Sequence, residues 1–286
     1  MGREFKLFDW KLNSPIIVAS GPFGSNIQSI NNLLESGAGA VVTKTIVWEP
    51  KGKQKGCMVY RDHLFNKEGY SSMSIGYWED CLHRLCDKHV IANIFDANPI
   101  KLASLAKHVV ENGAKMIELG VSCPTFGNDP LCFNDEYFIA TCKAVRREVD
   151  VPIIAKLLLS TSKEKNRQMV LNAKNNGIDG ISISDSIPAV VFDEKHKMSF
   201  GGVGGLSGPL LKNLVLKGLN DIIDIPIVKI GIGGIENAND IMEYLKMGAC
   251  TVQICSILFK KGNNYIRVLL QEFEDCWKNE NMELQY

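Results

Sequence analysis

The run Glu118-Leu-Gly-Val-Ser-Cys-Pro-Thr125 places a thiol where a strand stops. Met116 to Ser122 reads as a buried strand, and Pro124 ends it because proline cannot donate to a sheet ladder. Cys123 then falls at the carboxyl end of that strand, where parallel α/β proteins carry their chemistry. A buried cysteine is ordinarily an inert small hydrophobe, so the position, rather than the residue type, makes Cys123 a candidate. Lys44 and Lys156 stand inside apolar strand runs. Lysine is rarely buried without a partner, and two such lysines point to a bound anion.

Glycine marks a second region. Gly201-Gly-Val-Gly-Gly205 and Gly208 follow the sixth apolar run, and Gly231-Ile-Gly-Gly-Ile235 leads into a helix start near Asn237. Cys255-Ser256 follows the last run. Glycine lets backbone N–H groups approach an anion closely, and barrels form phosphate sites after strands seven and eight. The two glycine turns therefore predict a phosphate site, and the absence of GxxxxGK[ST] excludes a P-loop.

These residues need a frame, and the pattern supplies one. Eight short apolar runs alternate with segments of helical period: Pro15–Ser20, Ala40–Ile46, Val90–Ile94, Met116–Ser122, Pro152–Leu158, Gly180–Ser186, Pro226–Ile232 and Thr251–Ile257. Continuous rather than alternating hydrophobicity is what a strand covered on both faces requires. Helices are predicted over Ser104–Asn112, Asp135–Val149, Lys163–Asn176, Leu210–Ile223 and Asn239–Met247, several closing on glycine as left-handed C-caps do. Eight such units make an α/β chain, a single (β/α)8 TIM barrel over residues 1–286. Two long loops, Val47–Tyr77 and Phe126–Asn134, read as binding segments or lids.

The chain has 286 residues, 45% of them hydrophobic, enough for one large core. A formal net charge of +0 gives no electrostatic reason to expect nucleic acid or an anionic membrane. No apolar stretch has bilayer length and the N-terminus lacks a signal-peptide apolar region, so a cytoplasmic protein is expected. Nine cysteines without CxxC spacing indicate free thiols and no zinc or iron–sulfur site, hence no metal.

The set Ala19-Ser-Gly21, Thr43-Lys-Thr45, Glu118 to Pro124, Ala155-Lys-Leu157, Gly201–Gly205, Gly231–Ile235 and Gln253-Ile-Cys-Ser256, in that order, resembles the dihydroorotate dehydrogenase family, including the related dihydropyrimidine dehydrogenase catalytic domain. The resemblance implies FMN at the carboxyl ends of the barrel strands. It implies a flavin lined by Ala19, Ser20 and Gly21, with Lys44 and Thr45 beside flavin and substrate and Lys156 by flavin N1 and O2. A fixed positive charge there stabilises the anionic reduced ring. Gly204, Gly205, Gly233, Gly234, Cys255 and Ser256 complete the cofactor set, the last four holding the phosphate. Cys123 matches the cysteine that exchanges a proton at substrate carbon, and a thiol of pKa about 8.5 suits that duty. The class 1 likeness implies a homodimer, and the oxidant is a soluble acceptor or a separate electron-transfer subunit.

The family rings its substrate with asparagines. Here Ser71, Gly120, Thr125 and Asp185 stand at the matching positions. A carboxylate only accepts and a glycine offers no side chain, so a non-orotate substrate is expected, met by Ser71, Thr125, Asp185, Ser186 and Cys132. On this reading the chain interconverts a carbon–carbon single and double bond beside a carbonyl, with Cys123, Lys44 and Lys156 catalytic. Two readings stand beside it: a genuine dihydroorotate or dihydropyrimidine dehydrogenase, and a phosphate-binding barrel without redox work, such as an isomerase or lyase.

Overall fold

Proline and the β-branched runs divide the chain into short parallel strands, and these close on themselves. The computed structural model describes residues 5–50, 56–123 and 130–283. Within them, β1 (Ile16–Val18), β2 (Ala40–Val42), β3 (Val90–Ile94), β4 (Ile117–Leu119), β5 (Ile153–Leu157), β6 (Gly180–Ile183), β7 (Val228–Ile232) and β8 (Thr251–Ile254) form a closed barrel in chain order. Every ladder in it is parallel. The helices are α1 (Ile27–Glu35), α2 (Ile75–Arg84), α3 (Pro99–Glu111), α4 (Asp135–Glu148), α5 (Lys163–Asn175), α6 (Leu211–Asp221), α7 (Ala238–Lys246), α8 (Ser256–Lys261) and α9 (Tyr265–Glu283). None is long and apolar enough to cross a membrane.

The barrel is the expected one, with shorter strands. Most predicted runs extend past the observed strands at their carboxyl ends, where the chain leaves the ladder to line the barrel mouth. Cys123 accordingly lies farther past the end of β4 than the predicted run implies. Helix ends follow their residues closely: Gly113, Gly177 and Gly248 take φ of +110°, +92° and +85° after α3, α5 and α7. Asn237 caps α7 in a capping box with Asp240.

Two elements are additions to the predicted frame. A hairpin, Phe5–Leu7 with Trp10–Leu12, lies against the amino-terminal end of the barrel, where a Cβ on Gly180 would come within 2.9 Å of the Phe8 ring. The loop after β2, read as a binding segment or lid, carries regular structure of its own. Its strands Gly56–Tyr60 and His63–Lys67 join Gly204–Ser207 and Ile187–Ala189 in a four-stranded antiparallel sheet. That cap draws its strands from the segments after β2 and after β6. Gly204 and Gly205 therefore belong to a strand and not to a phosphate turn. A Cβ on Gly204 would lie 2.5 Å from the Asn66 carbonyl oxygen, and one on Gly205 would lie 2.3 Å from Ser186 Oγ. Close approach of neighbours explains both glycines.

Candidate active site

A cavity opens between the carboxyl ends of the barrel strands and the cap sheet. Its wall includes Ala19, Ser20 and Gly21 after β1, Lys44 and Thr45 after β2, Cys123 after β4, Lys156 on β5, and Asp185 and Ser186 after β6. Gly233 and Gly234 after β7 and Cys255 and Ser256 at α8 complete it. Most of the residues expected to hold cofactor and do chemistry are thus brought together, from seven strand ends.

Lys156 is 7% exposed, and its ammonium lies 3.4 Å from Asp185 Oδ1. Burial is the largest influence and disfavours its charge, but the Asp185 and Glu118 carboxylates outweigh it and hold the lysine above its usual range. Asp185 is itself fixed. Its Oδ2 accepts from Ser122 Oγ at 2.7 Å and its Oδ1 accepts from the Ser186 N–H at 2.8 Å. Ser122 therefore orients Asp185. Lys44 donates to Glu68 Oε2 at 2.5 Å, tying the barrel wall to the segment that leaves the cap. Ser20 and Thr45 hydroxyls meet at 3.4 Å.

Cys123 is half-buried and hydrogen-bonds with the Tyr70 hydroxyl. Burial, and then Cys123, push the tyrosine well above its ordinary range, so Tyr70 is a neutral partner to the thiol. Two further thiols line the wall. Burial pushes Cys57 up to about 12, with Glu68 adding to it, and pushes Cys255 up to about 11 against the pull of Lys156.

Gly233 and Gly234 adopt φ of +121° and +70°. A Cβ on Gly234 would meet the Lys212 backbone nitrogen at 2.6 Å and the Gly208 carbonyl oxygen at 2.9 Å. Only glycine can turn the chain there, and the turn borders the cavity.

Four expected residues stand elsewhere, and a fifth, Thr125, lies outside the described residues. Ser71 is buried beneath the mouth, its Oγ accepting from Trp78 Nε1 at 2.9 Å and from the Met73 N–H at 3.1 Å, so it holds α2 to the wall. Cys132 is fully buried, its N–H bonded to the Val121 carbonyl, and burial pushes its thiol up to about 12. Gly204 and Gly205 face neighbouring strands as described above. Conversely, the wall contains Asn66, Glu68, Tyr70, Asn93 and Gln253, for which the sequence pattern predicts no role. The signal for Asn93 and Gln253 was present: each is an amide inside an apolar run, the same anomaly that singled out the lysines.

The family model for dihydroorotate dehydrogenase matches residues 3–276. A protein of Pyrococcus horikoshii is 33% identical over 91% of this chain and 87% of its own length. One of Methanocella arvoryzae is 34% identical over 90% of this chain and 87% of its own length. Both are named dihydroorotate dehydrogenase B (NAD(+)), catalytic subunit. The solved structure of DHODH from Eimeria tenella in complex with ferulenol superposes with a TM-score of 0.85 at 18% identity, covering 98% of this chain and 85% of that one.

Proposed function

The chain belongs to the dihydroorotate dehydrogenase family, and from that premise we propose that it oxidises dihydroorotate to orotate on FMN, as a catalytic subunit whose electrons leave through a separate subunit. The expectation of a non-orotate substrate gives way to this reading. It rested on the loss of amides at four positions, one of which, Ser71, is turned to Trp78 instead of the cavity. At a second, Gly120, the space for a Cβ ends 3.1 Å from Asn93 Oδ1, so an amide from β3 reaches the place from which a side chain is missing. Asn66 adds another amide to the wall. The names borne by the relatives favour the same substrate.

The residues present fit FMN. Asn93 Oδ1 and Gln253 Oε1 are buried acceptors without a partner among the described residues, and the Gly233–Gly234 turn is a cradle that a Cβ would fill. Lys156 brings a fixed cation to the same cavity. Bound FMN supplies the acceptor for the hydride that leaves the substrate. The work of the chain is then to remove a proton and to hold charge. Cys123 takes the acidic proton beside the carbonyl, with Tyr70 fixing the thiol. Lys156, anchored through Asp185 to Ser122, holds positive charge where electron density accumulates.

The observation that carries this reading is that Cys123 and Lys156, from adjacent strand ends, line one cavity. Anaerobic mixing of the FMN-loaded protein with L-dihydroorotate in a stopped-flow spectrometer tests it. Rapid bleaching is expected, slowed about 10²–10⁴-fold in Cys123→Ala. A flavin that dithionite reduces but dihydroorotate does not would overturn the substrate assignment.

A further inference from the structure

At the centre of the barrel sits Glu118, fully buried on β4. Its Oε1 accepts from Asn93 Nδ2 at 2.7 Å, and its Oε2 accepts from Gln253 Nε2 at 2.9 Å and from Ser182 Oγ at 2.7 Å. A carboxylate can only accept, so both amides must turn their NH₂ groups to it. Their carbonyl oxygens, Asn93 Oδ1 and Gln253 Oε1, are then left buried and without partners among the described residues, and both residues line the cavity. Leaving a buried acceptor unpaired costs about 1–3 kcal/mol, so two on one wall call for donors from a ligand.

We propose that Glu118 is a positioning residue that fixes the hydrogen-bonding polarity of the cavity floor. Through Asn93 and Gln253 it makes that floor an acceptor surface, which selects a ligand presenting an imide N–H. The proposal rests on the FMN reading for its first ligand, because the flavin ring carries such an N–H at N3. The cyclic imide of the substrate carries the same chemistry. Glu118→Gln has nearly the same shape but carries one NH₂. Wherever that NH₂ points, it faces a present donor. If it faces Asn93, that amide must flip and send its own NH₂ into the cavity, and the same holds for Gln253. The floor then presents a donor where wild type presents an acceptor.

The test uses FMN and 3-methyl-FMN, which lacks the N3 proton, titrated into apoprotein by fluorescence quenching. Wild type is expected to prefer FMN by about 10–100-fold, and Glu118→Gln, with its fold verified by circular dichroism, to narrow that ratio to within about threefold. An unchanged ratio overturns the proposal. If wild type does not separate the two flavins, the acceptors must instead discriminate orotate from N-methylated orotates on the FMN-loaded protein, and Glu118→Gln must abolish that; failure of both overturns it. Should Glu118→Gln not fold, Asn93→Ala and Gln253→Met each remove one acceptor, and at least one of them must narrow the ratio. If no flavin binds, the FMN reading fails by itself. Side-chain amide exchange measured by NMR in the apoprotein then judges Glu118, since the charge-to-amide bonds predict slow NH₂ exchange at Asn93 and Gln253 that Glu118→Gln accelerates at one of them. Equal exchange in both proteins overturns the proposal.

Discussion

A lysine enclosed by a barrel keeps its charge only where carboxylates meet it, and Lys156 has two nearby. The sign of its pKa shift sets a pH window. A lysine raised above 10.5 contributes its stabilisation fully below that value and loses it only as pH rises through the higher folded value. Between pH 6 and 9 the thermal-stability difference between wild type and Lys156→Met should therefore be flat, and a difference that declines across that range would refute the charged assignment. Thiols offer a second check at this scale. At pH 8 a thiol pushed up to about 12, as Cys57 and Cys132 are, holds on the order of one part in 10⁴ of thiolate. Iodoacetamide at that pH should leave both unmodified in the folded protein, as read by peptide mass spectrometry. Rapid labelling of Cys132 would show that its burial is not maintained in solution.

Elements differ in how far the residues betray them. The barrel strands were legible because a strand covered on both faces must be apolar throughout, and helix ends because a glycine at positive φ has few substitutes. The cap sheet was not. Gly56–Tyr60 and His63–Lys67 are partly exposed and carry no apolar alternation, and the second of them pairs with Gly204–Ser207, far along the chain. Their pairing is a tertiary fact, and without it Gly204 and Gly205 resembled an anion turn. In the site, Lys44, Lys156 and Cys123 were readable as anomalies of type, whereas the role of Glu118 exists only once Asn93, Ser182 and Gln253 converge on it from three other strands. Ser71 shows the opposite error, a polar residue near the mouth whose work is structural. Ser71→Ala would leave the buried Trp78 N–H unpaired, costing about 1–3 kcal/mol. Chemical denaturation should register that loss while the rate of flavin reduction by substrate stays within twofold of wild type. A selective fall in that rate at unchanged stability would return Ser71 to the substrate pocket.

Across the whole molecule, the two ends of the barrel are finished differently: a hairpin lies against one, while the other is overlaid by a cap that meets the wall through Lys44 and Glu68. The cavity therefore depends on strand ends and on cap segments that are distant in sequence, and unfolding destroys it entirely. A ligand bound only by the folded state stabilises it by about 2.7 kcal/mol at a hundredfold excess over its dissociation constant. For a chain of this size each kcal/mol is worth roughly 2–4 °C, so saturating FMN should raise the melting temperature of the apoprotein by about 5–10 °C. Gly234→Ala separates the cradle from the rest of the fold. Its Cβ would press on the Lys212 nitrogen and the Gly208 carbonyl, distorting the turn that borders the cavity while the barrel ladder remains paired. That variant should unfold cooperatively at a somewhat lower temperature and gain little from the same FMN concentration. An equal gain in both proteins would mean that the phosphate lies elsewhere, and no gain in either would mean that this cavity was built for another ligand.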